Sequence, residues 1–173
     1  RRGDTEKATS AVQELWEVSY DPKAPEIPAG VIHDFQYREG AFVPGFLNAR
    51  RTVLDDYLDD FFFTPDYNEV MGASREGKQG QVVHLDVRRK IAALDVPGMP
   101  HLGSGITWMY KGRRVMATPN LREGVVSVID IKEWKPVGQI RTPGPGFFMR
   151  SHENTRYAWV DAMMSPTHRD TLT

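Results

Sequence analysis

Apolar and polar positions alternate in short runs along much of this chain, a pattern that predicts strands rather than helices. Glu14-Leu-Trp-Glu-Val-Ser-Tyr20 puts Trp16, Val18 and Tyr20 on one face. A connector follows at residues 21–30, carrying three prolines, and residues 31–37 alternate again. Residues 38–60 read as an irregular excursion between strands. From Phe61 the runs become regular. A first group of four strands is expected at residues 61–63, 69–74, 81–86 and 90–96. A second is expected at 106–110, 114–118, 125–131 and 136–141, and a third begins at 147. Gly, Pro and Asn turns between these runs fit antiparallel pairing. No segment carries helical periodicity.

The groups also repeat. Val70-Met-Gly-Ala73 returns as Val115-Met-Ala-Thr118 after 45 positions, and Val83-His-Leu-Asp86 as Ser127-Val-Ile-Asp130 after 44. Arg114-Val115 returns as Arg156-Tyr157 after 42, and Pro97-Gly98 as Pro143-Gly144 after 46. A period of about 40–45 residues built of short strands and Gly/Pro turns is the signature of β-propeller blades. The fold class expected is therefore all-β, with blades of four antiparallel strands. At 173 residues the chain holds roughly four blades. Residues 11–173 read as a partial propeller truncated at both ends, and residues 1–10 as a polar, disordered end. Arg1 is not an initiator methionine, and Asp170-Thr-Leu-Thr173 reads as a strand just beginning.

Composition narrows the function. The formal net charge is −1 with scattered basic residues, which argues against a nucleic-acid partner. No apolar run approaches the roughly 18 residues of a membrane-spanning helix. Cysteine is absent, which removes disulfides, a thiolate nucleophile and Cys-x-x-Cys-His haem attachment within these residues.

Candidate chemistry gathers in two Pro/Gly-rich stretches. Val96-Pro-Gly-Met-Pro-His-Leu-Gly-Ser-Gly-Ile-Thr-Trp108 is a loop, because its prolines and glycines hold neither a helix nor a central strand. It carries His101. Thr142-Pro-Gly-Pro-Gly-Phe-Phe-Met-Arg-Ser-His152 has the same character and ends on a second histidine. Placed at related blade positions, His101 and His152 would meet over one ligand. His84 is expected to make a local hydrogen bond within a strand, His33 to be structural, and His168 to be solvent-exposed. No His-x-x-x-His pair supports zinc. Asp55, Asp56, Asp59 and Asp60 lack calcium-loop order and read as a solvated acidic turn. Phe147, Phe148 and Met149 suit either a core or the face of a flat macrocycle. Arg150 suits either a bidentate carboxylate contact or a salt bridge between blades.

At the level of whole motifs the chain resembles a known family. Leu58-Asp-Asp-Phe-Phe-Phe-Thr-Pro-Asp-Tyr67, Met99-Pro-His-Leu-Gly-Ser-Gly105, Gly146-Phe-Phe-Met-Arg-Ser-His-Glu-Asn154 and Ala158-Trp-Val-Asp-Ala-Met-Met-Ser-Pro166 are similar to the haem d1 domain of cytochrome nitrite reductases and their relatives. So is Glu14-Leu-Trp-Glu-Val-Ser-Tyr-Asp-Pro22. The resemblance covers residues 12–173 and lies closer to the dihydro-haem d1 dehydrogenase branch. It implies a partial arc of an eight-bladed periplasmic propeller that holds haem d1, or dihydro-haem d1 as substrate. It implies His101 and His152 as catalytic residues, and both with Phe147, Phe148, Met149 and Arg150 as cofactor contacts. No metal ligand is assigned, because the family's proximal histidine comes from an earlier blade. A c-type haem would lie in a domain outside this chain, with an electron-transfer partner and a homodimer among the expected associations. The expected reaction is dehydrogenation of a propionate of dihydro-haem d1 in haem d1 biosynthesis, with Glu153 holding His152 in a basic tautomer. Reduction of nitrite to nitric oxide is the alternative within the family. A non-catalytic propeller acting as scaffold or cofactor carrier is the alternative outside it.

Overall fold

The structure, a computed structural model, describes residues 13–18, 49–77 and 79–173. The chain forms two compact units, one of Arg2–Asp56 and one containing Tyr57–Thr173. The polar end, the connector at 21–30 and the strand expected at 31–37 fall outside the described residues.

In the first unit, β1 (Glu14–Val18) pairs antiparallel with β2 (Ala49–Val53), Glu14 facing Val53. Glu14 accepts from Trp16 Nε1 at 2.8 Å and from Arg51 Nη1 at 3.3 Å. Strand β2 lies in the stretch expected to be irregular. Ala-Arg-Arg-Thr-Val hides its alternation behind two adjacent arginines, although Thr52 is buried.

In the second unit, β3 (Asp60–Phe63), β4 (Glu69–Ala73), β5 (Gly80–His84) and β6 (Arg89–Leu94) form a four-stranded antiparallel meander. A second meander follows as β7 (Ile106–Tyr110), β8 (Arg113–Pro119), β9 (Val125–Asp130) and β10 (Lys135–Arg141). Strands β11 (Met149–Ser151) and β12 (Ala158–Val160) pair next to them. Thr173 adds a third line of pairing, exchanging hydrogen bonds with Val160 at 2.8 and 2.9 Å. The eight strands expected between residues 61 and 141 are all present. Among the described residues the helical content is one 3₁₀ turn, Leu102–Ser104.

The middle strands of each blade carry the apolar runs because both of their faces are covered. Met71 in β4 and Met116 in β8 are fully buried and sit in one layer with Val82, Leu94, Leu102, Ile129 and Trp134. That layer joins the first sheet to the second. The other face of the second sheet gives Val115, Ala117, Val126 and Val128, which meet Met149 and Val160 of the next pair. Each such aliphatic side chain contributes about 1.5–3 kcal/mol when fully buried. Trp134 adds a polar link between blades, donating from Nε1 to Glu69 Oε2 at 2.9 Å. The outermost strand β10 is exposed at every residue, and its register shifts between Pro136 and Gly138.

The repeat expected at 44 positions is realised at 46 in the turns after β5 and β9. Leu85 N donates to Asn68 O and Ile131 N to Arg114 O, which makes Leu85 and Ile131 equivalent. Arg88 and Trp134 take left-handed φ of 53° and 52° at the matching turn positions. His84 therefore stands where Asp130 stands. Asp130 Oδ1 accepts from Lys132 N at 2.9 Å and from Glu133 N at 3.1 Å. His84 lies in a strand as expected, at the end of β5, but its Nδ1 is buried with no hydrogen-bond partner, so the expected local bond is not made through that atom.

Candidate functional site

The loop between β6 and β7 owes its shape to one buried side chain. Gly98 adopts φ +56°, and a Cβ there would come 2.5 Å from Asn120 Oδ1. Asn120 follows β8. Its Oδ1 accepts from Arg122 N at 2.9 Å, Glu123 N at 3.0 Å and Met99 N at 3.3 Å, while Nδ2 donates to Pro97 O. Outside its 3₁₀ turn the loop belongs to no strand, so a buried amide with both donor and acceptor settles remaining backbone groups. Asp161, 41 positions later and just after β12, repeats the device. Its Oδ1 accepts from Phe147 N at 2.8 Å and Met163 N at 3.2 Å, and its Oδ2 from Phe148 N at 2.9 Å.

Within the first loop, His101 N donates to Pro119 O at 2.8 Å, and the 3₁₀ turn begins at the next residue. Leu102 is fully buried and anchors that turn in the core. The imidazole of His101 is half-buried. Its Nδ1 faces the Phe147 carbonyl. A carbonyl accepts and never donates, so Nδ1 carries a hydrogen, and in the neutral ring the lone pair belongs to Nε2. Nε2 lies 3.7 Å from Asp60 Oδ2. The Asp60 carboxylate is held by Phe61 N at 2.9 Å and by Gly103 N at 3.1 and 3.2 Å. Aromatic rings complete the surroundings. The His101 and Phe147 centroids are 3.9 Å apart, and Phe148 lies 6.3 Å from His101 and 4.8 Å from Phe147. Phe148 is 49% exposed.

The two histidines do not occupy related positions. His101 precedes β7, whereas His152 follows β11 in an exposed turn. The residue 46 positions after His101 is Phe147, the distance set by the Pro-Gly pairs. His152 Nδ1 accepts from Asn154 N at 3.1 Å. The tautomer is thus set by a backbone amide and not by Glu153, and a neutral His152 carries its hydrogen on Nε2. Met149 is buried in the apolar layer against the second sheet. Arg150 is exposed, donates to Met149 O at 2.9 Å, and makes no ion pair with another described residue.

The remaining candidates fall elsewhere. His168 is exposed, with Nδ1 2.8 Å from Thr167 Oγ1. His33 is outside the described residues. Among the described residues no three His, Asp or Glu side chains converge as a metal site. The acidic turn is less solvated than its sequence suggests, since Asp59 Oδ2 accepts from Arg75 N at 2.8 Å and Asp60 reaches the His101 loop. Sequence reasoning missed Asp60, Asn120 and Asp161. For Asn120 and Asp161 the signal available was an Asn or Asp just after the second strand of successive blades; Asp60, at the start of β3, carried no such signal.

Four-stranded meanders stacked through shared apolar layers, with a histidine and aromatic rings gathered on the loops between sheets, define a β-propeller. The chain belongs to the cytochrome D1 haem domain family, which it matches over residues 37–172. It is 43% identical over 165 residues to a dihydro-haem d1 dehydrogenase of Pseudomonas aeruginosa, covering 95% of this chain and 29% of that protein. Among solved structures it is similar to dihydro-haem d1 dehydrogenase NirN in complex with DHE. The TM-score is 0.73 at 43% identity, over 91% of this chain and 29% of the other. Hydrazine synthase of Kuenenia stuttgartiensis, 15% identical with a TM-score of 0.52, covers 69% of this chain and 34% of its own, and shares the fold alone. The chain thus spans about three-tenths of the length of the dehydrogenase it matches.

Proposed function

We propose that the protein dehydrogenates dihydro-haem d1, with the His101 loop as its proton-accepting element. The observation that carries this reading is the hydrogen-bond state of His101. Nδ1–H is committed to the Phe147 carbonyl, so Nε2 is the atom able to receive a proton. The 43% identity to a dihydro-haem d1 dehydrogenase, and the solved complex of NirN with DHE, support the substrate.

The residues present fit a flat macrocycle bearing carboxylates. Phe147 and Phe148 offer aromatic faces beside the imidazole. Arg150 has a guanidinium free of ion pairs among the described residues, suited to a bidentate carboxylate contact. Met149, buried behind them, fixes the start of β11. Converting a saturated side chain to an unsaturated one removes two electrons and two protons. The iron macrocycle, when bound, supplies the path for the electrons. His101 Nε2 takes one proton, the other leaves to solvent by way of exposed His152, and the two electrons pass to an electron-transfer partner outside these residues. Phe147 keeps the imidazole from rotating. The family resemblance supports further parts of the reading: a periplasmic location, a role in denitrification, a c-type haem outside these residues and an electron-transfer partner.

The test follows conversion of dihydro-haem d1 by absorbance. His101→Ala and His152→Ala are each expected to lower the rate by ~10²–10⁴, the usual loss for a general acid–base group, while the precursor still binds. Rapid nitric oxide formation from nitrite without conversion of the precursor would replace this reading with nitrite reduction. Binding with neither reaction would make the protein a carrier.

A further inference from the structure

We infer that Asp60 is the positioning residue for His101, an inference that rests on the proton-accepting role just proposed. Two separate contacts link them. Asp60 accepts from Gly103 N through both oxygens, at 3.1 and 3.2 Å, so one carboxylate from β3 holds the turn that begins at His101. Its Oδ2 also stands 3.7 Å from His101 Nε2. That distance is too long for a hydrogen bond and short enough for a charge to act on the ring.

The two ring nitrogens therefore face different acceptors. Nδ1 faces a neutral carbonyl that fixes ring orientation. Nε2 faces a carboxylate, a negative charge 3.7 Å away. Among the described residues the other groups against the imidazole are uncharged: the Phe147 and Phe148 rings and the Phe147 carbonyl. When Nε2 takes a proton from the substrate, positive charge appears on the imidazole, and Asp60 is the side chain placed to stabilise it. The backbone amide of Phe61 holds Asp60 Oδ1 at 2.9 Å, so the carboxylate is oriented before the charge develops. Gly103 leaves room for this approach, since a Cβ there would come 3.1 Å from Asp60 Oδ1.

The experiment compares Asp60→Asn and Asp60→Glu with wild type and with His101→Ala, in the protein supplied with dihydro-haem d1. Asn keeps an oxygen for the two amides and removes the charge. The expected result for Asp60→Asn is a 10–10²-fold lower kcat, on the order of losing an orienting partner, with KM within about twofold and the acid limb of the pH–rate profile displaced. Asp60→Glu restores part of the rate. Wild-type kcat and pH profile in Asp60→Asn overturn the inference while leaving the role of His101 intact. Loss of folded protein in both variants assigns Asp60 to the fold alone and also overturns it. Wild-type conversion by His101→Ala is a different failure, because it removes the proposed function itself.

Discussion

His101 and Phe147 hold the same position in successive repeats, 46 residues apart, and they touch. The imidazole Nδ1 faces the Phe147 carbonyl, and the ring centroids are 3.9 Å apart. Equivalent loops of neighbouring blades thus converge at one end of the fold, and each helps fix the next. The contact that sets the tautomer comes from the backbone, which gives a clear expectation. Phe147→Ala should lose about 1 kcal/mol of ring contact yet keep the hydrogen on Nδ1. The ¹⁵N shifts of the His101 imidazole check this, and a neutral ring protonated at Nε2 in the variant would contradict it.

Asn120 ties four backbone groups of two loops. Asn120→Ala should destabilise the fold by about 2–4 kcal/mol, because buried amides and a carbonyl lose their partner. Denaturant titration measures it. A loss below about 0.5 kcal/mol, the range of an ordinary surface change, would show that water replaces the side chain without penalty.

Two glycines with positive φ separate backbone strain from crowding. Gly112 has φ +78° and open space around it, whereas Gly98 has φ +56° and Asn120 against it. Gly112→Ala should cost about 1 kcal/mol from conformation alone. Gly98→Ala should cost clearly more, since Asn120 has to move as well. Equal midpoints in thermal melts of the two variants would remove the crowding argument.

The Asp130 carboxyl is held below the usual carboxylate range. The Glu133 amide contributes most, followed by the Lys132 amide and the Arg113 charge, against the opposing effect of burial. A carboxyl lowered in the folded state stabilises the fold above its unfolded value of about 3.9. That stability is lost as pH falls through the lower folded value. Asp130→Asn keeps an acceptor oxygen and removes the titration. Its denaturation midpoint should therefore fall less steeply than wild type below about pH 4. Identical slopes for the two proteins would show that Asp130 does not drive the acid response.

The strands were readable because their period is local. Val70-Met71 and Val115-Met116 repeat in sequence and in burial, since middle strands of a blade need apolar residues on both faces. The site was readable only in part. His101 stood out through the prolines and glycines around it. Asp60 did not, because its partner Gly103 lies 43 residues away and nothing nearby in sequence marks the contact. The expectation that His101 and His152 hold related blade positions is corrected for a related reason. Both end a Pro/Gly-rich stretch, but one precedes its strand and the other follows it. Counting from the Pro-Gly pairs leads to Phe147 instead. Strand β2 was hidden by Arg50 and Arg51, whose charges mask an alternation that pairing with β1 makes real.

Strand β10 has one neighbour among the described residues, β9, and no described strand pairs with its other edge. Val137 and Ile140 remain exposed there between the charged Lys135 and Arg141. The backbone adds its own protection. Pro136 has no N–H to offer, and the register break before Gly138 keeps the edge from presenting an even row of donors and acceptors. A second molecule looking for a strand to extend meets an interrupted template. Pro136 and Gly138, which lie outside the core, disfavour pairing at this edge, and Pro136→Val is expected to raise concentration-dependent aggregation, read by light scattering, with the blade behind it unchanged.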